Sequence, residues 1–453
     1  MPKREINGAE YNDTVVEEWI EYLEIHKFPD QDFTEINSEG VYHIGKLFVS
    51  NLTSSPILRI SFKNCIFSDD VIFSAIEYET IDFTDCIFEK KVLFKGGDFK
   101  KNIAFKGGSV KERMEISGGI FSGLLLSLNC EELHIANAKF NDLAIRNIEE
   151  KTIVTIQKLL IKFNGIFGNI SLNGIKLVEA ELTGTIHKDV EFTLMDSHFT
   201  NLKLNKLFNN GKLRLFDLSP FSENEQKTSL FINNSNLAKT EFFSIDIAKI
   251  GSFGITNSFL IECTFVNLGW PAKFFGALPE LNNEQLLDRR EMFRQLKYSY
   301  AKQGDTITEH KFHGFEMNAQ MHYLRKKRWN QPGRNIFKKW SMHRQTSLVL
   351  WVSRLTSNYG QSFLAPLITL ALLGILSFSG MVYWGYIKEL APDFNLSWDR
   401  ILITIAHFLY FINPIKRLDA QSINGGLIID LGMRIITSYC IYNFIRATRR
   451  FVK

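Results

Sequence analysis

Asp430 and Arg434 stand four residues apart inside a long apolar run. An ionised pair in such surroundings needs a partner or water. On a helix the two can neutralise each other near an interface; repeated around an oligomer, they would ring a pore with charge. Just upstream, "FINPIKRLDAQSINGG" (411–426) supplies Asn413, Lys416 and Arg417. If the two cations face a mouth they favour anions; otherwise their stems snorkel to the interface. His407 could titrate near neutral pH in a pore, or sit unshifted at the interface. These six residues are the pore-lining candidates, and their chemistry is selection and passage of ions.

A second group, Glu309, His310, His313 and Glu316, has metal-like spacing, because Glu309/His313 are i, i+4 and His313/Glu316 are i, i+3. Sites of this kind need a second set of ligands from a facing helix, and the helical stretch before it, 282–305, offers no matching motif. A polar stripe is the better reading, and no metal is expected. The five cysteines (65, 86, 130, 263, 440) form no CxxC pair; an odd, scattered set reads as reduced thiols of a cytosolic compartment. No P-loop, GxSxG or HExxH is present, so neither a catalytic residue nor a cofactor is expected.

The elements that must position the candidates are apolar. No charged residue occurs from Leu355 to Ile387, and 363–387 is long enough to cross ~30 Å of hydrocarbon. "ILITIAHFLYFI" (401–412) would be ~18 Å as a helix, too short to cross. Residues 427–446 are long enough again. Three spans would put the basic tail, Arg446, Arg449, Arg450 and Lys453, outside. Two spans with a re-entrant half-helix return it to the side of the basic run before the first span, as the positive-inside rule favours. That run includes Arg325, Lys326, Lys327, Arg328, Lys338 and Lys339. Trp340 and Trp351 lie among and after these cations, as at a cytoplasmic membrane surface. The partners expected here are the lipid bilayer and further copies of the chain, joined through the membrane domain 345–453. The net charge of +4 is too small to argue for nucleic acid.

The N-terminal two thirds is repetitive. Phe occurs 39 times against 10 Pro, so one bulky side chain is being reused. From Phe62 the beat runs Phe67, Phe73, then Phe83, Phe88, Phe94, Phe99, Phe105, Val110, Ile116 and Phe121, mostly in alternating steps of five and six. Glycine pairs at 96–97, 107–108 and 118–119 keep time with it. A solenoid with four short faces per coil explains this, one inward residue per face, in roughly 20–22 residues per coil. Cys65 and Cys86 then occupy equivalent positions of neighbouring coils. The beat weakens over 141–221, leaving open a break or coils with insertions, and returns at Ile232, Leu237, Phe242 and Ile247. Ahead of the solenoid, Val15, Trp19, Tyr22 and Ile25 are spaced as in a helix. A helical cap within 1–57 is therefore expected. After it, Leu286, Phe293, Leu296 and Tyr300, then Phe312, Phe315, Ala319 and Tyr323, predict a helical hairpin, part of a cytosolic segment 282–344.

"SNLAK" (235–239) matches the A(D/N)LXX unit of pentapeptide-repeat proteins, with Ser for the leading Ala. Residues 58–272 resemble the Phe-rich members of that family, which implies a right-handed quadrilateral β-helix. "FRQLKYSYAKQGD" (293–305) resembles a single tetratricopeptide-like unit, and 428–451 resembles the C-terminus of membrane-anchored bacterial pentapeptide-repeat proteins. Some of these carry an ion-channel-like two-span region. The resemblance implies a bacterial inner-membrane protein whose N-terminal domain and C-terminus are cytosolic. The expected function is a channel-like pore subunit, with a stress or defence effector as the role to consider, whose solenoid senses a signal or binds a protein partner. A membrane-tethered interaction scaffold without transport is the alternative.

Overall fold

The computed structural model describes residues 18–25, 42–49, 57–73, 77–148, 153–221, 227–271, 278, 280–329, 342–387, 390, 397–416 and 425–449. Side chains are described from Phe62 on, except at 77–79, 328–329, 342–344 and 425. The chain divides into two compact units, Met1–Phe275 and Gly276–Lys453.

The first unit is a β-solenoid of about nine turns, in which strands pair in parallel with those one coil away. Phe62 pairs with Phe83, 21 residues on, and Asp98 with Ile120, 22 on, the coil length that the beat predicts. Stacking neighbours one rung apart places like side chains face to face. Phe62, Phe83 and Phe105 form one inner ladder with ring centroids 5.3 and 4.7 Å apart. Phe99, Phe121 and Phe140 form another at 4.6 and 5.1 Å, while Phe67 stacks on Phe88 and Phe73 on Phe94. All ten rings are buried.

Corners are made by a left-handed residue followed by a small buried one. Asn64 and Asp85 have φ of 53° and 54°, a region that Asn and Asp tolerate better than other side chains. Their amides donate to Thr84 and Lys106 carbonyls of the next coil at 3.0 and 2.8 Å. Cys65 and Cys86 follow, each thiol donating to the carbonyl two residues back. Ser197, Ser235 and Ser258, after left-handed Asp196, Asn234 and Asn257, do the same with their hydroxyls at 2.6, 2.7 and 2.8 Å. The cysteines thus stand in for corner serines. Burial pushes the Cys130 thiol up to about 12 and raises Cys263 as well, so these thiols stay protonated and unreactive.

Gly107 and Gly108 take the same corner one coil after Asp85 and Cys86. A Cβ on Gly108, at φ +77°, would lie 1.9 Å from the Cys86 carbonyl oxygen. Gly108→Ala is expected to destabilise the solenoid by ~1–3 kcal/mol. Gly118→Ala, whose Cβ would meet nothing nearer than 3.6 Å, should change the urea midpoint much less.

The solenoid runs through the stretch where the beat weakens. Cys130 pairs with Ile156 and Asn201 with Ser229, offsets of 26 and 28, against 21 for Ile156 and Leu177. Extra loop residues lengthen these coils, and inward positions come as i, i+2 pairs such as Leu159/Ile161, Ile170/Leu172 and Leu202/Leu204. Outward charges of opposite sign pair between coils: Lys90 with Asp69 at 3.0 Å, Lys111 with Glu89 at 3.3 Å, and Glu132 with both Arg113 and Lys158 at 2.9 and 3.1 Å. Exposed pairs of this kind add little stability, but they keep like charges from stacking.

The expected N-terminal helix is corrected. Glu18–Ile25 is a strand that pairs in parallel with a strand at Tyr42–Val49; the rest of 12–28 lies outside the described residues. Trp, Ile and Tyr favour strands, and the end of a solenoid offers unpaired backbone groups that a strand satisfies and a helix cannot.

In the second unit α1 (Asn283–Gln303) and α2 (Thr306–Trp329) form the hairpin. Asn282 and Gln285 make a capping box, Gly304 ends α1 at φ 78°, and the Asp305 carboxylate accepts from the Thr308 amide at 3.0 Å. Tyr300 stacks on Phe312, and Phe293 meets Phe315 at 5.3 Å. Then come α3 (Met342–Ser357), α4 (Leu364–Tyr383), α5 (Trp398–Ile412) and α6 (Gly425–Arg449). Among the described residues, α4 and α6 are the helices long and apolar enough to cross a membrane. At 15 residues, α5 reaches ~22 Å and falls short.

Candidate membrane-domain site

α5 starts at a Ser397 cap, whose hydroxyl accepts from the Arg400 amide. It ends at Asn413, where Pro414 blocks further helix. Phe408, Phe411 and Ile412 on one side pack against Phe378 and Met381 of α4 and Met433 of α6. Gly374 permits this approach: a Cβ there would lie 3.2–3.4 Å from Ile412 and Phe408. The other side of α5 is exposed and carries Leu402, Ile405 and Leu409 together with Thr404.

Past α5 the chain turns back, and three of the six candidates meet. Lys416 Nζ lies 2.5 Å from Asp430 Oδ1 as an ion pair. Arg434 Nε donates to the other oxygen of Asp430 at 3.0 Å, and its Nη1 donates to the Lys416 carbonyl at 2.8 Å. The ammonium of Lys416 also lies over the Phe411 and Tyr410 rings, 4.9 and 5.2 Å from their centroids. The three charged side chains are 8, 10 and 17% exposed. Within one chain the i, i+4 pair is therefore a buried three-member network that ties the segment after α5 to α6. Spacing alone found Asp430 with Arg434; Lys416 joins them only in the folded chain.

Asn413 is exposed, and its side chain accepts from the Ile415 amide at 3.0 Å. His407 is half-buried on α5. Arg417 lies outside the described residues, as do Lys338, Lys339 and Trp340 of the basic run. Arg325 is exposed, Lys326 Nζ donates to the Leu281 carbonyl at 2.6 Å, Lys327 lies over the Tyr323 ring, and Arg328 falls in the last turn of α2. Trp351 is half exposed on α3.

Sequence reading missed the buried polar stripe of α6, on which Asp430, Thr437 and Asn443 recur with Met433 and Cys440 at helical spacing. This face turns inward, while Ile428, Ile435 and Tyr442 are exposed. The signal was present as polar residues at i, i+7 and i+13 in an apolar helix. It also missed the turn after α3, where Asn358, Tyr359 and Gly360 all have positive φ. From that turn the Gln361 amide donates to the His310 and Lys311 carbonyls of α2 at 3.1 and 3.3 Å.

The metal-like group is otherwise engaged. Glu316 accepts from Lys297 at 2.7 Å, both side chains being largely buried. Burial holds His313 down at about 4, helped by Lys297 and Arg446 and opposed by Glu316. Its folded pKa is below the ordinary 6.5, so the unfolded chain takes up a proton that the folded hairpin refuses. Stability is complete above pH 6.5 and falls as pH drops towards 4. Thermal unfolding of the full chain should show this loss, and His313→Gln should flatten the curve in that window.

Comparison of the chain with protein-family models, with curated proteins and with solved structures finds no match.

Proposed function

We propose that the chain is a membrane-embedded, channel-like pore subunit whose β-solenoid binds a protein partner or senses a signal in the cytosol. The observation that carries this reading is α5: a helix too short to cross, packed by one side between two helices that are long enough. Non-helical backbone at membrane depth is tolerated only where protein buries it or it lines a wet cavity, and the charged network holds the segment after α5 against α6. In this reading α5 lines the conduit with Thr404, His407 and Asn413, and Lys416–Asp430–Arg434 braces it. Copies of the chain would complete the pore.

The five-residue beat and "SNLAK" favour a place among pentapeptide-repeat β-helices, and with it a bacterial inner membrane; a stress or defence role follows from the same resemblance. Alternating outward charge on the solenoid favours a protein over nucleic acid as its partner. The basic residues at both ends of the membrane domain favour two crossings with both termini in the cytosol.

A second reading, a tethered scaffold without transport, is favoured by the inward polar face of α6, which leaves an apolar exterior suited to an anchor. Single-channel recording of the purified full chain in planar bilayers, with a 355–453 deletion as control, separates the two. Discrete conductance lost in the deletion is expected. Silence across voltage and pH, from protein verified as inserted, favours the scaffold.

A further inference from the structure

On α3 the side of Leu350 packs with Met321 and Leu324 of α2 and with Tyr359. The opposite side is apolar and open: Leu348, Val349, Trp351 and Leu355 are 63, 62, 50 and 61% exposed. The helix contains His343, Arg344 and Arg354 and no acidic residue. With 16 residues it spans ~24 Å, too little to cross. The three positive-φ residues after it break the helix before α4, so α3 and α4 cannot form one continuous span.

We infer that α3 lies in the plane of the membrane interface, with Leu348, Val349, Trp351 and Leu355 in the acyl boundary and the exposed Arg354 at the level of the lipid phosphates. The inference rests on the reading of α4 and α6 as spans. Three features select lipid as the occupant. The start of α4 is apolar and exposed as well, at Leu364, Leu367 and Ile368. Its charges are of one sign, complementary to phosphate. An aromatic residue flanked by aliphatics suits the interface, where an indole is most stable. The function would be mechanical: Gln361 and Leu350 join this helix and its turn to α2, so tension or composition of the bilayer acts directly on the hairpin.

Spin labels test this in the full chain, reconstituted in phosphatidylcholine–phosphatidylglycerol vesicles. The sites are Leu348→Cys, Leu355→Cys, Leu372→Cys in α4 and Lys302→Cys in the hairpin, with the unsubstituted protein as labelling control. Labels at 348 and 355 should collide several-fold more with oxygen than with a water-soluble nickel chelate, at a depth shallower than 372, with 302 showing the reverse. Nickel preference at 348 and 355, while 372 stays lipid-like, overturns the inference and leaves the spans standing. Exclusion of both reagents there means a protein contact, such as a second copy, and also overturns it. An aqueous signal at 372 removes the spanning reading itself.

Discussion

Phe83→Ala should cost the solenoid ~3–5 kcal/mol, the range for truncating a fully buried phenylalanine. Phe83 stacks between Phe62 and Phe105 and meets Phe67, Phe73 and Phe88 edge-on. Removing its ring opens a cavity flanked by two stacked neighbours, and the parallel backbone ladder holds the rungs at fixed spacing, so collapse is resisted. Urea unfolding of the full chain, followed by the far-ultraviolet β signal, measures the loss. Phe83→Leu, which retains most of the volume, should cost clearly less. Equal losses for the two would mean that stacking geometry, and not filled volume, holds the ladder.

Asp430→Ala should destabilise the α4–α6 helices by ~3–5 kcal/mol, because it leaves the buried cations Lys416 and Arg434 without their counter-charge. The network also changes what a charge swap does. An isolated i, i+4 pair would survive Asp430→Arg with Arg434→Asp. Here the new arginine falls beside Lys416, so the swap should fail, and adding Lys416→Glu should recover part of the loss. Removing all three charges together (Lys416→Met, Asp430→Leu, Arg434→Met) should cost less than Asp430→Ala alone, since no unpaired ion stays buried. Thermal denaturation in detergent ranks the variants. A swap as stable as the parent would show that Lys416 does not share the carboxylate.

Features that recur or are local could be read from the chain before any folding. The step of five and six placed Phe62 to Phe121 in stacked ladders, because a coil repeats its inward positions at a fixed count. Capping residues Asn282, Gly304 and Asp305 and the uncharged run around α4 are equally local, so the hairpin and that helix were legible. A better marker of the solenoid was also present: Asn or Asp followed by Cys or Ser, at 64–65, 85–86, 196–197, 234–235 and 257–258. This pair encodes the corner itself, so it persists where inserted loops upset the spacing.

The remaining features depend on contacts between residues distant in the chain. Glu18–Ile25 satisfies helical spacing, yet its strand state depends on pairing with Tyr42–Val49, which no local pattern encodes. Lys416 and Asp430 are 14 residues apart in sequence, and nothing in either residue's neighbours says that they meet. Whether the polar stripe of α6 faces a pore or its own chain is likewise a matter of packing: helical spacing defines a face, and its neighbours determine what that face contacts. In this chain Asp430 contacts Lys416 and Arg434, because an unpaired carboxylate in apolar surroundings is too costly to leave alone.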